Sequence, residues 1–276
     1  MNIEKIKPYL KEKFRFDYAI VKHCNLNCVG CRMFAPINEE HFVKVEDYLR
    51  DIRELQRIFG DFEVALFGGE PLLHPDITKI ISLSPGSVGI STNGLLLKSK
   101  LRDKNFMRAL KVKHAGIGYS NYIREMGSEM EKITELYRRE GIDVFNMDNE
   151  YACNYFTENN IKVKSHFLIS RLSDKGDFNK EKQYKGCNSL YPIVFEGKIY
   201  PCTIPFVDSL KKFGFKPEPQ EGKDFLYLHK VKDKQEIIDL CTNPIDFCRY
   251  CGSDFEDTPN EVVPWRKSKK EKSEWL

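Results

Sequence analysis

FDYAIVKHCNLNCVGCRMFAPI, residues 16–37, joins an apolar run to three closely spaced cysteines. FDYAIV (16–21) has the composition of a strand. The thiols of Cys24, Cys28 and Cys31 follow at once, spaced Cys-x3-Cys-x2-Cys. Three thiolates bind iron or zinc well, because soft ligands suit both metals. A structural zinc normally takes a fourth Cys or His. His23 is next to Cys24, and that adjacency makes joint ligation awkward. A four-iron cluster held by three cysteines leaves one iron open to a small molecule. The spacing alone permits either metal.

Outward from this loop, strand and helix patterns alternate. EDYLRDIRELQRIFG (46–60) places Leu49, Ile52, Leu55, Ile58 and Phe59 at helical spacing, ending on Gly60. FEVALFG (62–68), VGIS (88–91), HAGIGYS (114–120), IDVFN (142–146) and VKSHFLI (163–169) read as further strands. Helices are predicted at 74–83, 97–110, 123–140 and 150–159. Six such units predict a parallel sheet with right-handed crossovers, an α/β partial (β/α)6 barrel of TIM-like type. Its chemistry belongs at the C-terminal ends of the strands. After about residue 175 the pattern changes. SDKGDFNKEKQYKG (173–186) reads as a polar linker. IVFEGKIYPC (193–202) reads as a hairpin turning at Glu196-Gly197-Lys198, and a short helix is predicted at 234–241. This gives three segments: a barrel (1–175), a small α+β domain (176–265) and a basic tail (266–276).

Composition limits the partners. Lys plus Arg is 44 and Asp plus Glu is 41, a net charge of +3, which makes no case for nucleic acid. No apolar run is long enough to span a membrane. The first residues lack the apolar core of a signal peptide. These features predict a soluble, cytoplasmic protein. Nine cysteines in a reducing compartment favour metal ligation or catalysis over disulfides. Cys187, Cys202, Cys248 and Cys251 supply four thiolates, enough to close a second site. A zinc ribbon would use the same set.

The Cys24-x3-Cys28-x2-Cys31 loop resembles the signature of the radical S-adenosylmethionine (SAM) superfamily. LFGGEPLLHP (66–75) resembles its Gly-Gly-Glu-Pro motif. The resemblance implies a 4Fe-4S cluster on Cys24, Cys28 and Cys31, with SAM chelated by the open iron and cleaved to a 5′-deoxyadenosyl radical. It places Gly68, Gly69, Glu70 and Pro71 at the amino group of SAM. Thr92 and Asn93 (in STNG, 91–94) and Ser120 (in GYSNY, 118–122) fall at ribose or carboxylate positions. The family usually has an aromatic residue before the third cysteine. Here it is Gly30, and Met33 or Phe34 is the expected substitute at the adenine.

Cys187-x9-Gly197-x4-Cys202 with a later Cys248-x2-Cys251 resembles the Twitch domain, the shortened SPASM form, which holds an auxiliary 4Fe-4S cluster. One barrel and one Twitch domain resemble aminoglycoside-pathway dehydrogenases and epimerases and members from polysaccharide clusters. The implied substrate is sugar-like or a nucleotide-linked sugar. The implied reaction is dehydrogenation with the auxiliary cluster as electron acceptor, with a flavodoxin or ferredoxin as reductant. Radical epimerisation would need a cysteine hydrogen donor, for which Cys153 is the candidate and Cys241 a weaker one. Ribosomal-peptide maturation is a further alternative, disfavoured because about 14 residues precede the first strand. A zinc-stapled binding protein is the alternative from another class. Tyr119 and Tyr122 are candidate pocket residues. His166 is a candidate proton acceptor, and His74 is expected to cap or pack. The basic tail is expected to be solvated or to meet phosphates, with Trp265 and Trp275 hinting at packing.

Overall fold

The computed structural model describes residues 14–120, 127–147, 166–169, 171–187, 191–252 and 261–276, with 166–169 and 261–264 as backbone. Strand β1 (Arg15–Val21) lies at the centre of an eight-stranded sheet. β2 (Glu63–Gly68), β3 (Val88–Thr92), β4 (Gly116–Tyr119) and β5 (Val144–Asn146) follow beside it in order, each parallel to the last. The molecule is therefore α/β, with the parallel sheet of a partial TIM-like barrel.

Alternation along β1 explains why it is central. Phe16, Tyr18 and Ile20 are fully buried, and being two apart they share one face. That face meets helix α1 (Val45–Phe59), with Phe16 against Phe59 and Tyr18 edge-on to Tyr48. α1 presents Ile52 and Leu55 inward and ends at Gly60, whose φ is 71° and whose N–H donates to the Gln56 carbonyl. Glycine adopts that conformation at little cost.

Past β1 the sheet continues on its other side. The predicted hairpin forms as β7 (Ile193–Phe195) and β8 (Lys198–Tyr200), with Glu196 and Gly197 both at positive φ. Two positive φ values at a two-residue turn suit the twist of a hairpin. β7 runs parallel to β1, and β9 (Leu226–Tyr227) adds antiparallel to β8. Asp51 of α1 locks this join. Its Oδ2 accepts from the Tyr18 hydroxyl and from the Gly197 N–H, each at 2.7 Å. The C-terminal segment is thus hydrogen-bonded onto the same sheet as the first five strands.

Three expectations change. The sixth strand, β6 (His166–Ile169), does not extend the parallel series. It pairs antiparallel with β10 (Glu261–Pro264) in a separate two-stranded sheet, with His166 opposite Pro264. The position beside β1 that a last parallel strand would close upon belongs to β7. The expected linker carries helix α6 (Lys180–Lys185), capped by Asn179 and burying Gln183; α2 (Ile77–Leu83), α3 (Leu97–Lys100), α4 (Lys104–Val112) and α5 (Gly127–Arg139) precede it. The single helix expected at 97–110 is the pair α3 and α4, because Asp103 starts a new helix by accepting from the Asn105 and Phe106 N–H groups. The helix expected at 150–159, with Cys153, and Tyr122 lie outside the described residues.

Asp17 sits on the other face of β1. Its Oδ1 has no hydrogen-bond partner among the described residues, and Arg15 Nε is 3.8 Å away. Burial pushes the carboxyl up to about 6, with Arg15 pulling the other way. A native acid that ionises later than its unfolded form binds more protons between the two midpoints, so stability falls as pH rises through that window. Unfolding midpoints are expected to fall from about pH 4 to about pH 6. Asp17→Asn is expected to flatten that fall and to be more stable at pH 7 by up to about 3 kcal/mol, measured by urea denaturation.

Candidate functional site

The three front cysteines lie in the loop that leaves β1, and the loop is held from two directions. From β2, the Gly69 N–H donates to the Val21 carbonyl at 2.8 Å and the Glu70 N–H to the His23 carbonyl at 3.0 Å. Gly68 has φ 141°. A Cβ on Gly68 would overlap the Val21 carbonyl oxygen, and one on Gly69 the His23 carbonyl oxygen. The family resemblance places these glycines at the amino group of SAM. Their close approach is to the backbone that leads into Cys24.

From the C-terminal end, the Val29 N–H donates to the Arg266 carbonyl and the Ser268 N–H to the Asn27 carbonyl, at 3.0 and 2.9 Å. Cys28 and Lys267 form an antiparallel bridge. Trp265 Nε1 donates to Cys28 Sγ at 3.2 Å, and Trp275 Nε1 to the Cys31 carbonyl at 3.1 Å. The tail is therefore packed on the cysteine loop rather than wholly solvated. Trp275 is buried.

Cys24 Sγ accepts from the Leu26 N–H at 3.3 Å and from Asn93 Nδ2 at 3.5 Å. Burial pushes the Cys24 thiol up to about 11 and Cys28 to about 12, and raises Cys31. Cys31 adds to the shifts of Cys24 and Cys28, and Cys24 to that of Cys28, so these thiols face one another. Buried thiols without a cation stay protonated at neutral pH, and a bound metal displaces those protons. Donors to sulfur of this kind tune a metal–thiolate group where one is bound.

The Gly-Gly-Glu-Pro segment continues inward. Glu70 is fully buried. Its Oε1 accepts from the Leu72 N–H and the Thr92 hydroxyl, at 2.9 and 2.7 Å; its Oε2 accepts from the Asn93 N–H at 2.8 Å. Burial raises the carboxyl while these donors oppose the rise. Pro71 starts a single 3-10 turn behind it. Thr92 is buried and spent on Glu70 and on the Gly94 N–H. Asn93 reaches the rim, where its Nδ2 also meets Asn25 Oδ1 at 2.8 Å. Ser120 follows β4, its N–H donating to the Thr92 carbonyl at 3.0 Å. Cys24, Glu70, Asn93 and Ser120 thus sit at the C-terminal ends of four adjacent strands. Met33 packs on the core and its carbonyl accepts from Asn38. Gly30 has φ 61°, a left-handed conformation that disfavours an aromatic residue there.

Other sequence candidates fall elsewhere. The His74 imidazole is buried, with Nε2 on the Val43 carbonyl at 2.8 Å and Nδ1 accepting from Asp76. Burial lowers its pKa, so it is a neutral packing residue. His23 turns from the cysteines, stacking edge-on to Phe42 and accepting from the His41 N–H. The Tyr119 ring is buried. Burial lifts the Cys241 thiol to about 12.

The second set of cysteines meets one pocket. Cys187 follows α6, Cys202 follows β8, and Cys248 and Cys251 belong to a 3-10 turn at Asp246–Tyr250 and its end. All four line a cavity with Gly30, Arg32 and Trp275 among its walls. Burial, then Cys187, Cys248 and Cys251, raises the Cys202 thiol well above the ordinary range. Arg32 points into the same place from the front loop, its Nη2 donating to Cys251 Sγ at 3.7 Å. No three His, Cys, Asp or Glu side chains close round a single ion among the described residues. Sequence reasoning missed Arg32 and the two indole donors. The signals available were a charge directly after Cys31 in an apolar loop and the paired tryptophans of the tail.

The Radical SAM superfamily model matches residues 18–148, and this domain belongs to that superfamily. That superfamily is one of enzymes that use a 4Fe-4S cluster and SAM. It is 27% identical over 256 residues to a probable GTP 3′,8-cyclase of Saccharolobus solfataricus, covering 83% of this chain and 75% of the relative. It is 27% identical over 222 residues to a protein of the same description from Saccharolobus islandicus strain M.14.25, covering 78% and 64%. The chain spans just under two thirds of the latter's length. Among solved structures, native anSMEcpe with bound AdoMet matches with TM-score 0.48 at 14% identity, over 90% of this chain and 93% of that one. Streptococcus suis SuiB bound to precursor peptide SuiA matches with TM-score 0.40 at 15% identity, over 90% and 74%. No helix among the described residues is long and apolar enough to cross a membrane.

Gly69→Ala is expected to force the β2 loop off the His23 carbonyl and to cost roughly 3 kcal/mol of stability. The same variant is expected to lose iron from the front site, read by iron analysis after anaerobic reconstitution.

Proposed function

We propose that the chain is a radical SAM oxidoreductase with two 4Fe-4S clusters, acting on a sugar-like alcohol. Cys24, Cys28 and Cys31 hold the first cluster. Gly68, Gly69, Glu70 and Pro71 order the backbone beside it, and Asn93 and Ser120 lie at the rim where SAM binds. Cys187, Cys202, Cys248 and Cys251 hold the second. When bound, the first cluster with SAM supplies a 5′-deoxyadenosyl radical, and the second supplies a one-electron acceptor.

The observation that carries this reading is the convergence of four thiols and Arg32 on one pocket next to the front loop. Four protein thiolates leave no open iron for substrate, which suits electron transfer better than substrate ligation. Hydrogen-atom abstraction from a carbinol carbon gives a carbon radical. Loss of the hydroxyl proton and one electron gives the carbonyl, and 5′-deoxyadenosine carries off the hydrogen. Arg32 neutralises part of the thiolate charge and favours the reduced second cluster. A flavodoxin or ferredoxin supplies the electron for SAM cleavage.

A second reading is nucleotide cyclisation. It is favoured by the relatives described as probable GTP 3′,8-cyclases. Incubation with GTP, SAM and dithionite separates the two. A cyclised product would overturn alcohol oxidation, and 5′-deoxyadenosine formed only with sugar-like alcohols would support it.

Anaerobic reconstitution is expected to give about eight irons and about four after Cys24, Cys28 and Cys31 are all changed to Ala. 5′-Deoxyadenosine should then form in the wild type alone. Bound zinc and no 5′-deoxyadenosine would instead mark a metal-stapled binding protein. Arg32→Met is expected to retain about eight irons but to lower the second cluster's potential by on the order of 60 mV, a tenfold step for one electron. Electron paramagnetic resonance during a redox titration reads that shift.

A further inference from the structure

The tail that covers the front loop has two unlike sides. Ser268, Glu274 and Trp275 are buried. Glu274 is fully engaged there, taking the Ser268 hydroxyl and the Lys269 N–H, while the Lys270 N–H donates to Ser268 Oγ. Lys270 is held at φ 62°. Arg266, Lys267, Lys269, Lys270 and Lys272 point outward and are exposed, with Glu271 the one exposed acid of the segment. No carboxylate of the described residues forms an ion pair with any of the five. This is a charged surface fixed by a hydrogen-bonded turn, unlike a free basic tail.

Its position matters more than its charge. The surface is carried by residues that pair directly with the cysteine loop, through Val29–Arg266, Asn27–Ser268 and the Cys28–Lys267 bridge. Trp265, at its edge, donates to Cys28 Sγ. Cys28 itself is 6% exposed. A carrier docked on this cover would stand beside Cys28, at short range for electron transfer to a group held there.

We propose that the exposed face of residues 266–272 is the docking surface for an acidic one-electron carrier protein of the flavodoxin type, which reduces the front site past Trp265. The inference rests on the proposed cluster at Cys24, Cys28 and Cys31. Opposite charge steers the encounter and raises its rate, and screening weakens it. Redox encounters of this kind use small interfaces, and a single rigid turn with five cations is of that scale.

The experiment is stopped-flow reduction of the reconstituted protein by an acidic flavodoxin, with dithionite as the small reductant for comparison. Wild-type reduction by flavodoxin should slow as salt rises from about 0.05 M to about 0.3 M. Lys267→Glu/Lys269→Glu/Lys272→Glu should lower the low-salt rate about tenfold and remove the salt dependence. The corresponding Gln variant should fall between them. Iron content, dithionite reduction and dithionite-driven 5′-deoxyadenosine formation should be unchanged in both variants. Wild-type rates with flavodoxin in the Glu variant would overturn the surface while leaving the cluster reading intact. A wild type that dithionite does not reduce would overturn the cluster reading and this inference with it. Unchanged flavodoxin kinetics with lost heparin retention would assign the patch to a polyanion instead.

Discussion

The structure depends on two glycines that bring the end of β2 against the end of β1. Gly68 and Gly69 admit no Cβ because the carbonyls of Val21 and His23 occupy that space. Two backbone hydrogen bonds cross the same gap. The consequence reaches both ways along the chain. Cys24 starts from a fixed backbone position, and Glu70 enters the interior already aligned with the Thr92 hydroxyl and the Asn93 N–H. Asn93 then returns to Cys24 Sγ. A steric constraint at two residues thereby couples three strand ends and a sulfur atom.

A buried carboxyl serves this purpose well. Hydrogen bonds to a charged or strongly polar acceptor are stronger than neutral ones, and each unmade bond at a buried acceptor is costly. Three donors on Glu70 make its rotamer the point on which the β2 and β3 loops agree. Asp51 plays the matching part for the far side of β1, accepting from Tyr18 and Gly197. One acid orders the cysteine loop and the other attaches the hairpin that leads to Cys202.

The first five strands were legible because each is a short apolar run followed by a helical period, and sequential parallel neighbours need little else. The Glu196-Gly197 turn was legible from its residues. The sixth strand was legible as a strand but not in its pairing, since its partner Glu261–Pro264 is about ninety residues away and no local pattern encodes that match. The cysteines could be grouped by spacing, yet Arg32 could not be assigned to the second group, because it is contiguous with the first. The tail read as solvated because its lysines dominate it. The residues that pack it, Ser268, Glu274 and the two tryptophans, are few and widely spaced. Gly30 looked like a departure from a family pattern, and its positive φ gives the local backbone reason.

The two cysteine sites share walls, and this constrains how charge is arranged. Cys31 belongs to the front loop, while Gly30 and Arg32 on either side of it line the rear pocket. Trp275 lines that pocket and also donates to the Cys31 carbonyl. The Arg32 guanidinium contacts Cys251 and also acts on Cys187 and Cys202, so the negative charge it stabilises is that of the rear site. The front site instead receives neutral donors: an indole N–H, an amide side chain and a backbone N–H. Fixed positive charge favours the reduced form of a metal–thiolate group more than neutral dipoles do. On the proposed reading, in which both sites hold clusters, this asymmetry of donors would place the rear site above the front one in potential, the downhill order for an electron leaving substrate.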